Sequence, residues 1–252
     1  MDKKTALFEY CLRLGDSSLI LGHRLSEWCG HGPVLEQDIA LTNVALDLVG
    51  QATLFLEYAS KIEDKGRSAD DLAFLRDALE FRNYLLVEQP NGDFGYTLVR
   101  QFLFDAHHYH FFTLLQNSKD EQIAAIAAKS LKEVTYHLRH SAEWVIRLGD
   151  GTAESHNRVQ SALNDLWEYT GSLFETNEAD EILVREGIAI DQKKIRTLWE
   201  ITLAEVFQKA TLKIPTESFQ QKGGIIGKHT EHLGYLLAEM QFLPRAYPNT
   251  KW

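Results

Sequence analysis

Residues 36–62 read EQDIALTNVALDLVGQATLFLEYASKI. Leu41, Ala45, Leu48, Ala52, Phe55, Ala59 and Ile62 recur at steps of three and four, the spacing of one face of an α-helix. At ~1.5 Å per residue such a helix is roughly 40 Å long. The same spacing precedes it. Leu7, Cys11, Leu14, Ser18, Leu21, Leu25 and Trp28 mark a helix over Lys3–Trp28, and Gly30-His31-Gly32-Pro33 separates the two. Long helices joined by so short a turn lie antiparallel.

A second hairpin follows. Leu98, Phe102, Tyr109 and Phe112 mark a helix over Phe94–Gln116, and Asn117–Asp120 is a polar turn. Ala127, Leu131, Val134, Leu138, Val145 and Leu148 mark a partner over Glu121–Leu148, closed by Gly149-Asp150-Gly151-Thr152. Between the hairpins a helix is predicted over Asp70–Val87, stopped by Gln89-Pro90-Asn91-Gly92. Further helices are expected at 155–174, 178–186, 191–210 and 230–246, with Lys222–Gly227 a loop before the last. No stretch reads as a strand pair, and no composition shift marks a linker. The expectation is an all-α chain: a ferritin-like four-helix bundle of two antiparallel hairpins with additional C-terminal helices, forming a single domain over 1–252.

The chain has 252 residues, 44% hydrophobic, with only 5 prolines and 16 glycines, enough for one large helical core. A net charge of −10 argues against nucleic acid and against an anionic membrane surface as partners. Cys11 and Cys29 show no metal spacing, the N-terminus lacks a secretory pattern, and no run approaches the ~18 apolar residues of a bilayer span. A cytoplasmic location is expected.

Four carboxylates, Asp16, Asp47, Asp105 and Glu133, give the hairpins a chemical interest. Asp16 and Asp47 are equidistant from the His31-Gly32 turn, and Asp105 and Glu133 from Lys119. Each pair is therefore expected to meet at mid-hairpin, where ferritin-like bundles hold two irons. Such sites take a Glu from each of two helices and a Glu-x-x-His from each of the others. Here the two slots read Asp47-Leu-Val-Gly50 and Glu133-Val-Thr-Tyr136, so the imidazoles are missing. His108 and His137 lie close by, but His137 is four residues from Glu133 rather than three. Asp105 interrupts an apolar stripe and, if buried, needs a partner. On the alternative of ordinary packing, Asp16 and Glu133, which lie beside their stripes, would simply be half exposed. The six positions Asp16, Asp47, Gly50, Asp105, Glu133 and Tyr136 are read as a degenerate site that holds no metal, with ordinary packing or a working metal site as the alternatives.

The histidine clusters read as structural. His107, His108 and His110 point in different directions on a helix and cannot share one ion. His137 and His140 share a face, and His229-Thr230-Glu231-His232 lacks the i, i+4 histidine pair of zinc helices. Thr230 is expected to cap the last helix. Gly223, Gly224 and Gly227 follow no strand, which makes a phosphate loop weakly supported. No catalytic or cofactor-binding residue is assigned.

Several segments together resemble a known family: Leu14-Gly15-Asp16, Glu27-Trp28-Cys29-Gly30-His31, Leu46–Ala52, Glu88–Gly92 and, longest, Gly223–Gln241. The chain is similar to the C subunits of bacterial ring-1,2-phenylacetyl-CoA epoxidases, multicomponent oxygenases of phenylacetate catabolism. The resemblance implies a non-catalytic structural subunit without a cofactor of its own. It would pair with a catalytic A subunit that carries the di-iron centre. A B subunit and a reductase are the further partners it suggests, and self-association is left open. On this reading the carboxylates would pair with internal bases such as Arg24, His23, His108 or Arg139. The alternatives are an active di-metal oxidase and a helical adaptor unrelated to oxygenases.

Overall fold

Side chains that bond to the first free backbone N–H groups fix where the helices begin. Asp2 accepts from Thr5 N (2.7 Å), and helix α1 runs Lys3–Ser26. After the Gly30 turn (φ +81°), where the Asp38 carboxylate holds Gly32 N (2.9 Å), α2 runs Leu35–Glu63. Asp93 accepts from Tyr96 N (2.8 Å) to start α5, Phe94–Leu115, and Asp120 from Ile123 N (2.9 Å) to start α6, Glu121–Gly149. The remaining helices are α3 (Ala69–Phe74), α4 (Leu85–Glu88), α7 (Ala153–Trp167), α8 (Glu178–Arg185), α9 (Gln192–Lys209), α10 (Glu231–Met240) and α11 (Phe242–Ala246). This computed structural model describes residues 1–216, 219–248 and 250. Among them 73% are helical and none is in a strand, so the all-α expectation holds.

The chain divides into two compact units. The first joins Met1–Pro90 with Asn177–Ile182 and Gly223–Trp252; the second joins Asn91–Thr176 with Leu183–Lys222. The hairpin α1–α2 is the centre of the first, and α5–α6 is the centre of the second. α1 is buried on nearly every side from Ala6 to Leu25, and α5 is buried almost throughout. Close backbone approach sets the register of the first hairpin. A Cβ on Gly15 would meet Leu56 at 2.9 Å, and one on Gly22 would meet Val49 at 3.1 Å and the Ala45 carbonyl at 3.3 Å. The residues opposite Asp16 therefore lie one to two turns beyond Asp47.

Three expected helices are broken. The stretch 70–87 becomes α3, a 3₁₀ turn at Ala78–Glu80, and α4. Asp77 and Glu80 cap that turn reciprocally, a start signal inside what reads as a helix interior. The helix over 155–174 ends at Trp167, followed by a 3₁₀ turn at Thr170–Phe174. The last helix breaks at Gln241, because Pro244 cannot donate to the carbonyl four residues earlier. In contrast to the reading by apolar runs, α2 has the length and composition of a bilayer span, with an 18-residue window of mean hydropathy 1.5, although it packs in a hairpin.

Candidate functional site

Asp16 lies at mid-length in α1 with no exposed surface, not half exposed as its place beside the stripe suggests. Its carboxylate is taken by a guanidinium. Arg76 Nη1 donates to Asp16 Oδ2 (3.0 Å), and Arg76 Nη2 makes the second bond of the fork, to Oδ1. The backbone N–H of Arg82 adds a third donor (2.8 Å). That N–H is free to do so only because residues 75–84 leave the α-helix. Arg76 is itself 2% exposed, donates to the Glu80 carbonyl (3.0 Å) and sits over the Phe81 ring (4.4 Å to its centroid). The break in the stretch 70–87 thus places a cation and a backbone donor on Asp16.

The bases named from sequence do other things. Arg24 donates through Nε and Nη2 to the Glu88 carbonyl (3.1 and 2.9 Å), and Arg139 lies over the exposed Tyr136 ring. His23 is half-buried, and burial lowers its pKa. His108 has no hydrogen-bond partner at either ring nitrogen.

In the second unit Asp105 is 1% exposed on α5. Gln101 Nε2 and Ser141 Oγ donate to its two oxygens, each at 2.7 Å. Burial raises its pKa to about 6, although the buried His137 and both donors pull it down. His108 stacks on Phe104 (3.8 Å between centroids), and burial pushes its pKa well down. Beside it, His107 faces Gln192 and the Leu173 backbone with a pKa lowered to about 4 by burial. His110 reaches Thr202 Oγ1 (2.7 Å). Of the three neighbouring imidazoles His110 points away, while the His107 and His108 rings lie tilted beside each other, 5.8 Å between centroids.

Asp47 and Glu133 are half-buried, and Gly50 and Tyr136, in the two slots where a histidine would ligate, are exposed. A Cβ on Gly50 would meet nothing within 4 Å, and Tyr136 stacks on His140 (6.0 Å). Among the described residues no three His, Cys, Asp or Glu side chains converge as a metal ligand set.

A third polar centre was not foreseen as such. Glu88, fully buried at the end of α4, accepts from Asn83 Nδ2 (2.9 Å), Thr230 N (2.9 Å) and Thr230 Oγ1 (2.6 Å). His229 Nδ1 lies 2.5 Å from Glu88 Oε1, and His229 Nε2 is 3.0 Å from the Phe81 carbonyl. Thr230 precedes α10, but its hydroxyl goes to Glu88 rather than capping the helix. The glycines serve the same docking. A Cβ on Gly224 would lie 2.2 Å from the Asn83 carbonyl, and one on Gly227 (φ +81°) 2.3 Å from the Leu79 carbonyl. Glu88, from one of the family-like segments, is therefore bonded to His229 and Thr230 of another.

The profile of a family described as phenylacetic acid catabolic protein matches residues 1–252. A relative from Escherichia coli (strain K12), the C subunit of 1,2-phenylacetyl-CoA epoxidase, is 50% identical over 246 residues, covering 98% of this chain and 99% of the relative. With its whole length matched, the chain belongs to the phenylacetic acid catabolic protein family.

Proposed function

We propose that this chain is the structural subunit of a multicomponent monooxygenase that epoxidises the ring of phenylacetyl-CoA, and that it supports a separate di-iron catalytic subunit without doing chemistry itself. The membership of the complex rests on the 50% identity to the Escherichia coli C subunit. The non-catalytic role rests on one observation: Arg76 and the Arg82 N–H occupy the oxygens of Asp16. A guanidinium forked on a buried carboxylate supplies the positive charge that a ligand carboxylate would otherwise receive from a metal. Gly50 offers no donor atom at all. The residues present do not fit two irons.

On the same reading the two hairpins belong to one ferritin-like domain, the location is the cytoplasm, and the partners are the catalytic A subunit, a B subunit and a reductase. The test is reconstitution. The A subunit alone should hold the iron, and adding this chain should restore epoxidation through assembly. An isolated chain that consumes oxygen on phenylacetyl-CoA with reductant would overturn the proposal.

A further inference from the structure

α2 carries more apolar surface than its hairpin covers. Its 18-residue apolar window is only 50% buried. The incompletely covered positions are not scattered. Leu35, Ile39, Leu46 and Thr53, which are exposed, and Thr42 and Val49, which are half-buried, follow one another at alternating steps of four and three, the repeat of a helix–helix seam. Leu35 is 72% exposed, Ile39 51% and Leu46 65%. The threonines do not make the seam polar. Thr42 Oγ1 donates to the Asp38 carbonyl and Thr53 Oγ1 to the Val49 carbonyl, both at 2.9 Å, so each turns its hydroxyl into its own helix. Gly50 stands beside the seam with open space around it, a residue that weakens an exposed helix yet allows another backbone to come close.

The charge around the seam selects its occupant. No lysine or arginine occurs between residues 25 and 60, and Glu36, Asp47 and Glu57 flank the apolar positions. Antiparallel packing of a second copy about Leu46 would set Glu36 of one chain near Glu57 of the other and the two Asp47 side chains together. Like charges so placed disfavour self-pairing. We infer that this seam is the docking surface for a helix of a partner chain whose own apolar seam is flanked by lysine or arginine. That partner is the catalytic subunit, and to this extent the inference rests on the proposed function.

Leu46→Lys and Gly50→Gln change the seam at exposed positions, and Ile201→Lys, at a site 53% exposed on α9, is the control. Binding of each full-length variant to immobilised catalytic subunit is measured by surface plasmon resonance at low and high salt, after thermal melts confirm folding. The expected result is at least a tenfold loss of affinity for both seam variants, wild-type affinity for the control, and wild-type binding that weakens with salt. Wild-type affinity in both seam variants would refute the seam while leaving the subunit pairing intact. A wild-type chain that binds no catalytic subunit would sink the proposed function and the seam together. A homodimer of the free chain that Leu46→Lys dissociates would show that the occupant is a second copy, against the inference.

Discussion

Replacing Asp105 by Asn should stabilise this protein, and only above a defined pH. In the fold Asp105 is completely enclosed and its pKa rises from 3.8 to about 6. The folded state therefore holds the proton more tightly than the unfolded chain. The stability conferred by this group is fully present below about pH 4 and is lost as pH rises through about 6. A gap of roughly two pKa units corresponds to about 3 kcal/mol of penalty for the ionised form at pH 8. Asparagine cannot ionise and retains an acceptor for the Ser141 hydroxyl. Gln101 Oε1 is buried without a partner, so an amide flip gives the new NH₂ group an acceptor. Asp105→Asn should thus approach wild type only below about pH 4, exceed it by about 1 kcal/mol at pH 4.5 and by about 3 kcal/mol at pH 8, the latter a rise of roughly 6–12 °C in Tm for a chain of this size. Chemical denaturation and thermal melts at both pH values check this. A variant less stable than wild type at pH 8, or a difference that does not change between the two pH values, refutes the reasoning.

Other substitutions probe the remaining centres. Arg76→Ala strands the buried Asp16 carboxylate and should cost about 3–5 kcal/mol by urea titration, whereas Asp16→Asn combined with Arg76→Leu should lose much less. Glu88→Ala removes the acceptor shared by Asn83, His229 and Thr230 and should free the C-terminal segment, read as faster cleavage near residue 223 in limited proteolysis and a loss of about 3 kcal/mol or more. Gly224→Ala forces a Cβ against the Asn83 carbonyl and should lower the Tm by several degrees, while Gly50→Ala, in open space, should raise stability slightly, by up to about 1 kcal/mol. Placing histidine at both slots, Gly50→His with Tyr136→His, should not create an iron site while Arg76 remains on Asp16, as iron analysis of the purified variant would show.

The long hairpins were legible because their apolar stripes are long and periodic, and their ends carry Asp2, Asp93 and Asp120 as side-chain caps. The occupant of Asp16 was not. Arg76 lies 60 residues away, in a stretch whose apolar content resembles a helix, and only the Asp77…Glu80 capping pattern hinted at the break. Ser141 was closer to view: it fills the gap between Leu138 and Val145 on the α6 stripe, a polar residue in an apolar row like Asp105 itself. The pairing of Glu88 with His229 joins positions 141 residues apart, and no local pattern carries that information. Equal distance from the turn puts Asp16 opposite Asp47, but close glycine packing shifts the first hairpin by one to two turns.

If a guanidinium stands where a metal would otherwise bind, the most direct test is iron content. The separately purified chain is reconstituted anaerobically with ferrous salt, desalted and taken to elemental analysis. Far less than one iron per chain is expected, with the catalytic subunit treated in parallel taking up about two. Close to two irons per chain here, with the magnetic signature of a coupled pair, would contradict that occupancy of Asp16 by Arg76 excludes the metal.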